Sequence, residues 1–384
     1  MSEEWKSYIR LCAIPEIGAV TAMRLLDAFG SPGKVFAASR EELMSVDKIG
    51  AKTADSIIEN KDLIDIEKIC DKMNRLGARY LCFKDSDYPD LLRKIPDMPV
   101  GFYYIGDCDF NSPCISIIGS RNCSVYGQIA ARKFAAAFAR AGVTVVSGMA
   151  RGIDSAAHIG ALEAGGKTIA VLGCGADIIY PPENIELYKR IIKNGAIVSE
   201  FPLGTRADKQ TFPIRNRIVS GFSLATLVVE SDLRGGSLIT ARLAGEQGRD
   251  VFAIPGRIDS NSSRGCNALI RDGATLATCP EDILDSLKFS GQLEINLKPD
   301  TSPHTREKSA ASQSSDSSKN APSIELDSDE YAIYECLKTS GDLPADDISE
   351  KSQLPISKCL STLLMLELKK IVLKDAGGRW RVRQ

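Results

Sequence analysis

Arginines, small hydroxyl residues and glycines gather at a few points of this 384-residue sequence in a pattern that suits an anion. Gly119-Ser120-Arg121 follows the apolar run Ile115 to Ile118, and Ser147-Gly148-Met149-Ala150-Arg151-Gly152 follows Val143 to Val146. Gly173-Cys174-Gly175 follows Thr168 to Leu172, and Arg234-Gly235-Gly236-Ser237 comes shortly after Ala225 to Val229. Phe212-Pro-Ile-Arg215-Asn216-Arg217 stands before a predicted helix. Each cluster falls near the end of a buried strand. At the carboxyl edge of an open α/β sheet, backbone amides and helix N-termini favour negative charge, and guanidinium forks match phosphate oxygens in pairs. The chemistry on offer is the holding of a polyanion. Arg121 has no acidic neighbour within several positions and is the hardest to explain as a structural ion pair. Arg151 can instead pair with Asp154, and Asn216 can cap a helix.

Other chemistries fail on inspection. Gly166-Lys167-Thr168 has Ala161 where a phosphate-binding P-loop needs its first glycine, and it runs into a strand. Val171-Leu-Gly-Cys-Gly175 reaches Ile178 where a dinucleotide fingerprint needs glycine. Of the two histidines, His158 reads as a packed residue of an alanine-rich helix and His304 lies in low-complexity sequence. Glu200 and Glu230 are expected to orient arginines rather than act as acid and base. The 11 cysteines are scattered without a Cys-x-x-Cys pair, which favours reduced thiols used as small hydrophobes. No catalytic residue, metal or cofactor is therefore expected. A formal net charge of -2 gives no global basic signature, so any nucleic-acid surface must be local. The amino terminus lacks a secretion-signal pattern and no apolar run approaches membrane-spanning length, which predicts a cytoplasmic chain without a membrane partner.

The elements that position these clusters alternate strand and helix from Ile115 onward. Runs at Ala196 to Ser199, Val251 to Ile254 and Thr275 to Ala277 complete the strand series, and helices are expected at Gln128 to Arg140, Asp154 to Glu163, Ile185 to Lys193, Leu238 to Gln247 and Ala268 to Arg271. Continuous apolar strands alternating with helices predict a Rossmann-like, doubly wound parallel sheet within residues 72–289. Arg79 to Phe83 and Gly101 to Ile105 read as strands beside it. Residues 1–71 carry Ile14-Pro-Glu-Ile-Gly-Ala19 and Val46-Asp-Lys-Ile-Gly-Ala51, each leading into a helix, and resemble a tandem helix-hairpin-helix (SAM-like) domain that holds either DNA phosphates or protein. Residues 290–323 are a polar linker, and 324–384 read as three helices and a hairpin, a winged-helix domain. Its third helix, Ile356 to Leu368, is apolar and lacks arginine, so it is expected to meet protein, or DNA only weakly through Lys369, Lys370, Arg379, Arg381 and Arg383.

Gly-Ser-Arg-x-x-Ser-x-Tyr-Gly (119–127), Ser-Gly-x-Ala-Arg-Gly-Ile-Asp-x-x-Ala-His (147–158), Lys-Thr-Ile-Ala-Val-Leu-Gly (167–173) and Tyr-Pro-x-Glu-Asn (180–184) resemble the DprA family, also called Smf. Phe-Pro-x-Arg-Asn-Arg-Ile (212–218), Gly-Ser-Leu-Ile-Thr-Ala (236–241) and Val-Phe-Ala-Ile-Pro-Gly (251–256) extend the likeness across the whole core. The resemblance implies a cytoplasmic, homodimeric protein that binds single-stranded DNA and loads RecA recombinase during natural transformation. Carried over by motif, the DNA-binding residues are Gly119, Ser120, Arg121, Ser147, Gly148, Arg151, Gly152, Arg215, Asn216, Arg217, Gly236 and Ser237. Lys167 joins them with lower rank because it starts a strand. Phe212 or Tyr126 offers a ring for base stacking. Pro182 stands where some members carry a basic residue, which removes one expected contact. The competing reading is a nucleotide riboside hydrolase on a related scaffold; Leu238 replaces a glycine of that enzyme loop and the required glutamate is missing.

Overall fold

A computed structural model describes residues 3–289, 291–292, 328–352, 354–368, 371–374 and 379–382. The chain forms two compact units, Met1–Asp300 and Thr301–Gln384.

The first unit opens with six helices, α1 (Glu3–Ala13), α2 (Ala19–Phe29), α3 (Pro32–Ala37), α4 (Arg40–Met44), α5 (Ala51–Asn60) and α6 (Ile66–Leu76). The two Ile-Gly-Ala turns fold alike. Glu16 and Lys48, at equivalent places, take φ of 67° and 61°, and Gly18 and Gly50 cap the following helices at φ −87° and −90°. Lys52 Nζ reaches Glu16 Oε1 at 2.9 Å and Ser56 Oγ donates to the Pro15 carbonyl at 2.8 Å, so each hairpin holds the other. A tandem helix-hairpin-helix arrangement is the result.

A nine-stranded sheet follows, in the order β1-β2-β6-β5-β4-β3-β7-β8-β9. The strands are β1 (Arg79–Cys82), β2 (Gly101–Gly106), β3 (Cys114–Ile118), β4 (Thr144–Ser147), β5 (Thr168–Val171), β6 (Gly195–Ser199), β7 (Ala225–Val228), β8 (Asp250–Ala253) and β9 (Thr275–Leu276). From β6 to β9 every neighbouring pair is parallel, while β1 and β2 extend the sheet antiparallel beyond β6. The intervening helices are α7 (Asp90–Arg93), α8 (Val125–Arg140), α9 (Ile153–Glu163), α10 (Ile185–Lys193), α11 (Thr211–Gly221), α12 (Gly236–Glu246) and α13 (Arg264–Arg271), with α14 (Pro280–Phe289) closing the unit. Side chains of β3 show why both faces are covered. Ile115 and Ile117 pack with Phe134 and Phe138 of α8, whereas Cys114 and Ile118 pack with Ile218 and Val219 of α11. Alternate residues thus face opposite helical layers, and the strand reads as one apolar run.

The chain leaves β3 through β4, β5 and β6 on one side, then returns by α11 to place β7 on the other. That reversal puts a crevice at the carboxyl ends of β3 and β7, where open α/β sheets bind ligands. Two expectations need correction. Phe212 to Arg217 lie inside α11 rather than before it, because Pro213 falls in the first turn, where its missing N–H costs nothing. Asn216 consequently sits mid-helix and caps nothing; Gln210 holds the N-cap position.

In the second unit, α15 (Ser328–Ser340), α16 (Ala345–Ser352) and α17 (Ile356–Leu368) pack with a three-stranded sheet of β10 (Leu343–Pro344), β11 (Val372–Lys374) and β12 (Arg379–Val382). Ile333, Leu337, Ile348, Leu363 and Trp380 form its core. Three helices with a wing are the winged-helix architecture. The expected linker falls outside the described residues except for 291–292, as do Lys369, Lys370 and Arg383. Ile356 and Leu360 of α17 are exposed, and Arg379 and Arg381 point outward on either side of buried Trp380.

Candidate nucleic-acid interface

The crevice is a cavity of about 610 Å³. Gly119, Ser120 and Arg121 line it from the end of β3, Gly148 and Ala150 from the end of β4, and Gly236 and Ser237 from the first turn of α12. Helix α11 adds Phe212, Arg215, Asn216 and Val219, whose spacing of three or four residues puts them on one helical face. Gly119 must be glycine, since a Cβ would lie 2.6 Å from Ile153 Cγ1 and 2.9 Å from the Glu230 carbonyl.

Arg215 is buried at the base of the cavity. Its Nη1 donates to the Gly148 carbonyl at 2.7 Å and to the Val171 carbonyl. The Gly148 N–H in turn donates to Asp154 Oδ2 at 3.1 Å, and the Ala150 N–H does so at 3.3 Å. One residue, through its two flanking peptide groups, therefore links a buried cation to a buried carboxylate. Burial lowers the Arg215 pKa, opposed by Asp154, and burial raises that of Asp154, opposed by Arg215 and the two amides. A Cβ on Gly148 would sit 2.5 Å from Arg215 Nη1, which explains the glycine.

Above this base lies an aromatic shelf. The Arg121 guanidinium stands 5.0 Å from the Phe212 ring centroid, Arg215 stands 6.0 Å from it, and Tyr180 tilts against the same ring at 5.5 Å. Arg121 is exposed and makes no ion pair among the described residues. Cation–π contact holds it over the ring while leaving its donors for an incoming phosphate. Lys209 and Asn122 also line the cavity, and Asp232 adds a carboxylate. Neither Lys209 nor Asp232 carries a recognisable sequence signal; Lys209 lies in a polar stretch without a motif.

The remaining sequence-predicted residues divide. Arg151 borders a shallow annex beside Gly173, Cys174 and Pro181, and its Nε bonds Glu183 rather than Asp154. Gly152 stands at φ 75° with its Cα against the Ser120 and Arg121 backbone, so it locks two loops together. Ser147 is buried below, donating to the Ile117 carbonyl at 2.7 Å. Arg217 is turned away from the cavity: its Nη2 meets both Glu200 oxygens at 2.7 and 2.6 Å, and its Nε lies 3.3 Å from Asp97 Oδ2. Lys167 precedes β5 at the opposite end of the strands, near Cys108, whose pKa burial pushes up to about 11 against the opposing charge of Lys167. Strand polarity keeps it from the cluster. Tyr126 is exposed on α8 and does not line the cavity.

The acid–base candidates are engaged elsewhere. Glu200 pairs with Arg217 as expected, but Glu230 orients no arginine. Its carboxylate accepts the Ser124 N–H at 2.8 Å and hydroxyl at 2.5 Å, pinning the start of α8 to the end of β7. A Cβ on Gly127 would strike that carboxylate at 2.6 Å. His158 is buried with Nδ1 2.6 Å from Thr168 Oγ1, whose proton goes to the Val145 carbonyl at 2.7 Å. Nδ1 must therefore donate, and burial depresses the His158 pKa to about 3. It is a structural residue.

Comparisons with known proteins identify the family and its domains. The sequence pattern of the family described as DNA recombination-mediator protein A matches residues 79–288. The SAM-like helix-hairpin-helix tandem matches 8–60, and the DprA winged helix domain matches 317–378. Protein Smf of Escherichia coli is 39% identical over 305 residues, covering 78% of this chain and 76% of its own length. DNA processing protein DprA of Streptococcus pneumoniae is 43% identical over 206 residues, 53% of this chain and 73% of its own. The solved structure of the Streptococcus pneumoniae protein superposes with a TM-score of 0.65 at 34% identity, covering 73% of this chain and 97% of that one. DNA processing protein A of Helicobacter pylori, a structure described for its single-stranded DNA binding mode, gives a TM-score of 0.51 at 29% identity, over 56% of this chain and 97% of that one. The chain belongs to the DprA (Smf) family of DNA processing proteins.

Proposed function

We propose that the chain binds single-stranded DNA in the cavity at the carboxyl ends of β3 and β7, without cleaving it. The observation that carries this reading is Arg121 held over the Phe212–Tyr180 shelf at the mouth of a cavity whose base is the buried Arg215. Guanidinium and lysine charges from Arg121 and Lys209 face the phosphates, glycine-rich turns bring backbone amides close, and the rings give unpaired bases a surface to stack on. Arg121, Arg215, Asn216, Gly119, Ser120, Gly148, Gly236 and Ser237 form the contact. Arg151 reaches the strand at its annex after exchanging Glu183 for phosphate. Gly152 and Ser147 shape the loops, and Arg217 holds α11 in place. Engagement of His158, Glu200 and Glu230 in structural hydrogen bonds and ion pairs supports binding over catalysis. Family membership supports the further steps: a cytoplasmic homodimer that protects incoming strands and loads RecA recombinase during natural transformation. Titration with single- and double-stranded oligonucleotides at two salt concentrations tests the reading. Preference for the single strand with a negative salt slope is expected; equal affinity for duplex would overturn it.

A further inference from the structure

Helix α8 begins at Val125, four residues beyond Arg121, and only one of its faces is used for packing. Gly127, Ala130, Ala131, Phe134 and Phe138 are buried against the sheet and fix the helix. On the outer side, Val125, Ile129, Arg132, Lys133 and Arg140 recur at helical spacing along one stripe. Val125, Tyr126 and Ile129 are 72%, 60% and 61% exposed, three large apolar side chains within two turns. Such a group exceeds the scattered apolar residues of an ordinary surface. The remainder of the stripe is basic, and the helix contains no acidic residue. Arg132 makes only a loose, exposed contact with Glu163 at 3.9 Å, and Lys133 and Arg140 make no ion pair among the described residues.

We propose that the outer face of α8 is a second contact for single-stranded DNA. A strand leaving the cavity past Arg121 lays unstacked bases on Val125, Tyr126 and Ile129 and its phosphates along Arg132, Lys133 and Arg140. This rests on the reading of the cavity as a single-strand site. At 1.5 Å per residue the 16-residue helix is about 24 Å long, which gives room for several nucleotides beyond those in the cavity. Charge complementarity names the occupant. A polyanion with exposed apolar faces matches a stripe that is apolar at one end and basic along the rest, whereas a duplex keeps its base faces stacked inside.

The test compares oligothymidylates of about 5 nucleotides, near the lower end of what one single-strand site covers, and about 20, beyond its upper end of roughly 16. Arg132→Ala/Lys133→Ala is expected to bind the long strand about tenfold more weakly, with the salt slope reduced by about 1.4, which is roughly 0.7 for each lost phosphate contact. Tyr126→Ala should lose about tenfold on the long strand through stacking. Both variants should hold the short strand as the parent does, while Arg121→Ala weakens both lengths. A double variant with the parent's long-strand affinity and salt slope would overturn the proposal while leaving the cavity reading intact. So would loss of recombinase binding with DNA affinity unchanged, which would give this face to a protein. Absence of binding by the parent at either length overturns the cavity reading and this proposal with it.

Discussion

Replacing Arg217 with methionine separates two arginines that the Phe-Pro-x-Arg-Asn-Arg segment presents as equals. Arg217 is buried, and its side chain and that of its partner Glu200 are only 6% and 16% exposed. Removing the guanidinium strands a buried carboxylate, a loss of about 3–5 kcal/mol. In a unit that runs from Met1 to Asp300 that corresponds to roughly 5–8 °C in Tm. Because Arg217 does not line the cavity, the folded variant should bind single strands within about twofold of the parent. Adding Glu200→Leu should restore most of the stability, since an apolar pair of similar volume avoids the desolvation cost. Burial already raises the Glu200 pKa above the ordinary carboxyl value despite Arg217. An acid with a raised folded pKa favours folding most below its unfolded value and loses that contribution as pH rises through the folded one. Without Arg217 the shift grows, so the variant's deficit should be larger at pH 8 than at pH 5. The assays are thermal unfolding across pH and oligonucleotide titration below the transition. Unchanged stability combined with a tenfold loss of affinity would refute the placement of Arg217.

Gly119→Ala should destabilise the fold by about 1–3 kcal/mol, because its Cβ would meet Ile153 Cγ1 at 2.6 Å; parent-like urea unfolding would contradict that packing. His158, with its pKa depressed to about 3, keeps its contribution above its unfolded value near 6.5 and loses it as pH falls toward 3. Between pH 6.5 and 4, His158→Gln should flatten the stability slope by up to about 1.4 kcal/mol per pH unit, measured by urea unfolding at several pH values; an unaltered slope would place the titration elsewhere. Deleting residues after Ser323 should change single-strand affinity by less than about threefold, as expected if α17, with exposed Ile356 and Leu360, serves a protein partner; total loss would assign DNA binding to the winged helix.

The sheet was legible because β3 to β7 are buried on both faces and β8 in its second half, which leaves apolar runs that periodicity detects. The anion turn at Gly119 was legible for the same reason: a glycine, a hydroxyl and an arginine interrupt such a run. Helix α11 was obscured by Pro213, which reads as a breaker although the first helical turn accepts it. What one sequence does not reveal is direction. Arg215 and Arg217 are two residues apart, which puts them on different sides of a helix, one under the cavity and the other against Glu200. Lys167 was excluded by strand polarity, a topological fact its motif does not carry. Lys209 and Asp232 are brought to the cavity by loops whose course depends on the crossover from β6 to β7.

The central claim is that Arg121 grips a DNA backbone at the mouth of the cavity, and the salt dependence of single-strand binding by Arg121→Ala tests it most directly. The account predicts weaker binding of every sequence to a similar degree and a salt slope lower by about 0.7, one phosphate contact on a single strand. A folded variant with the parent's affinity and slope would contradict it.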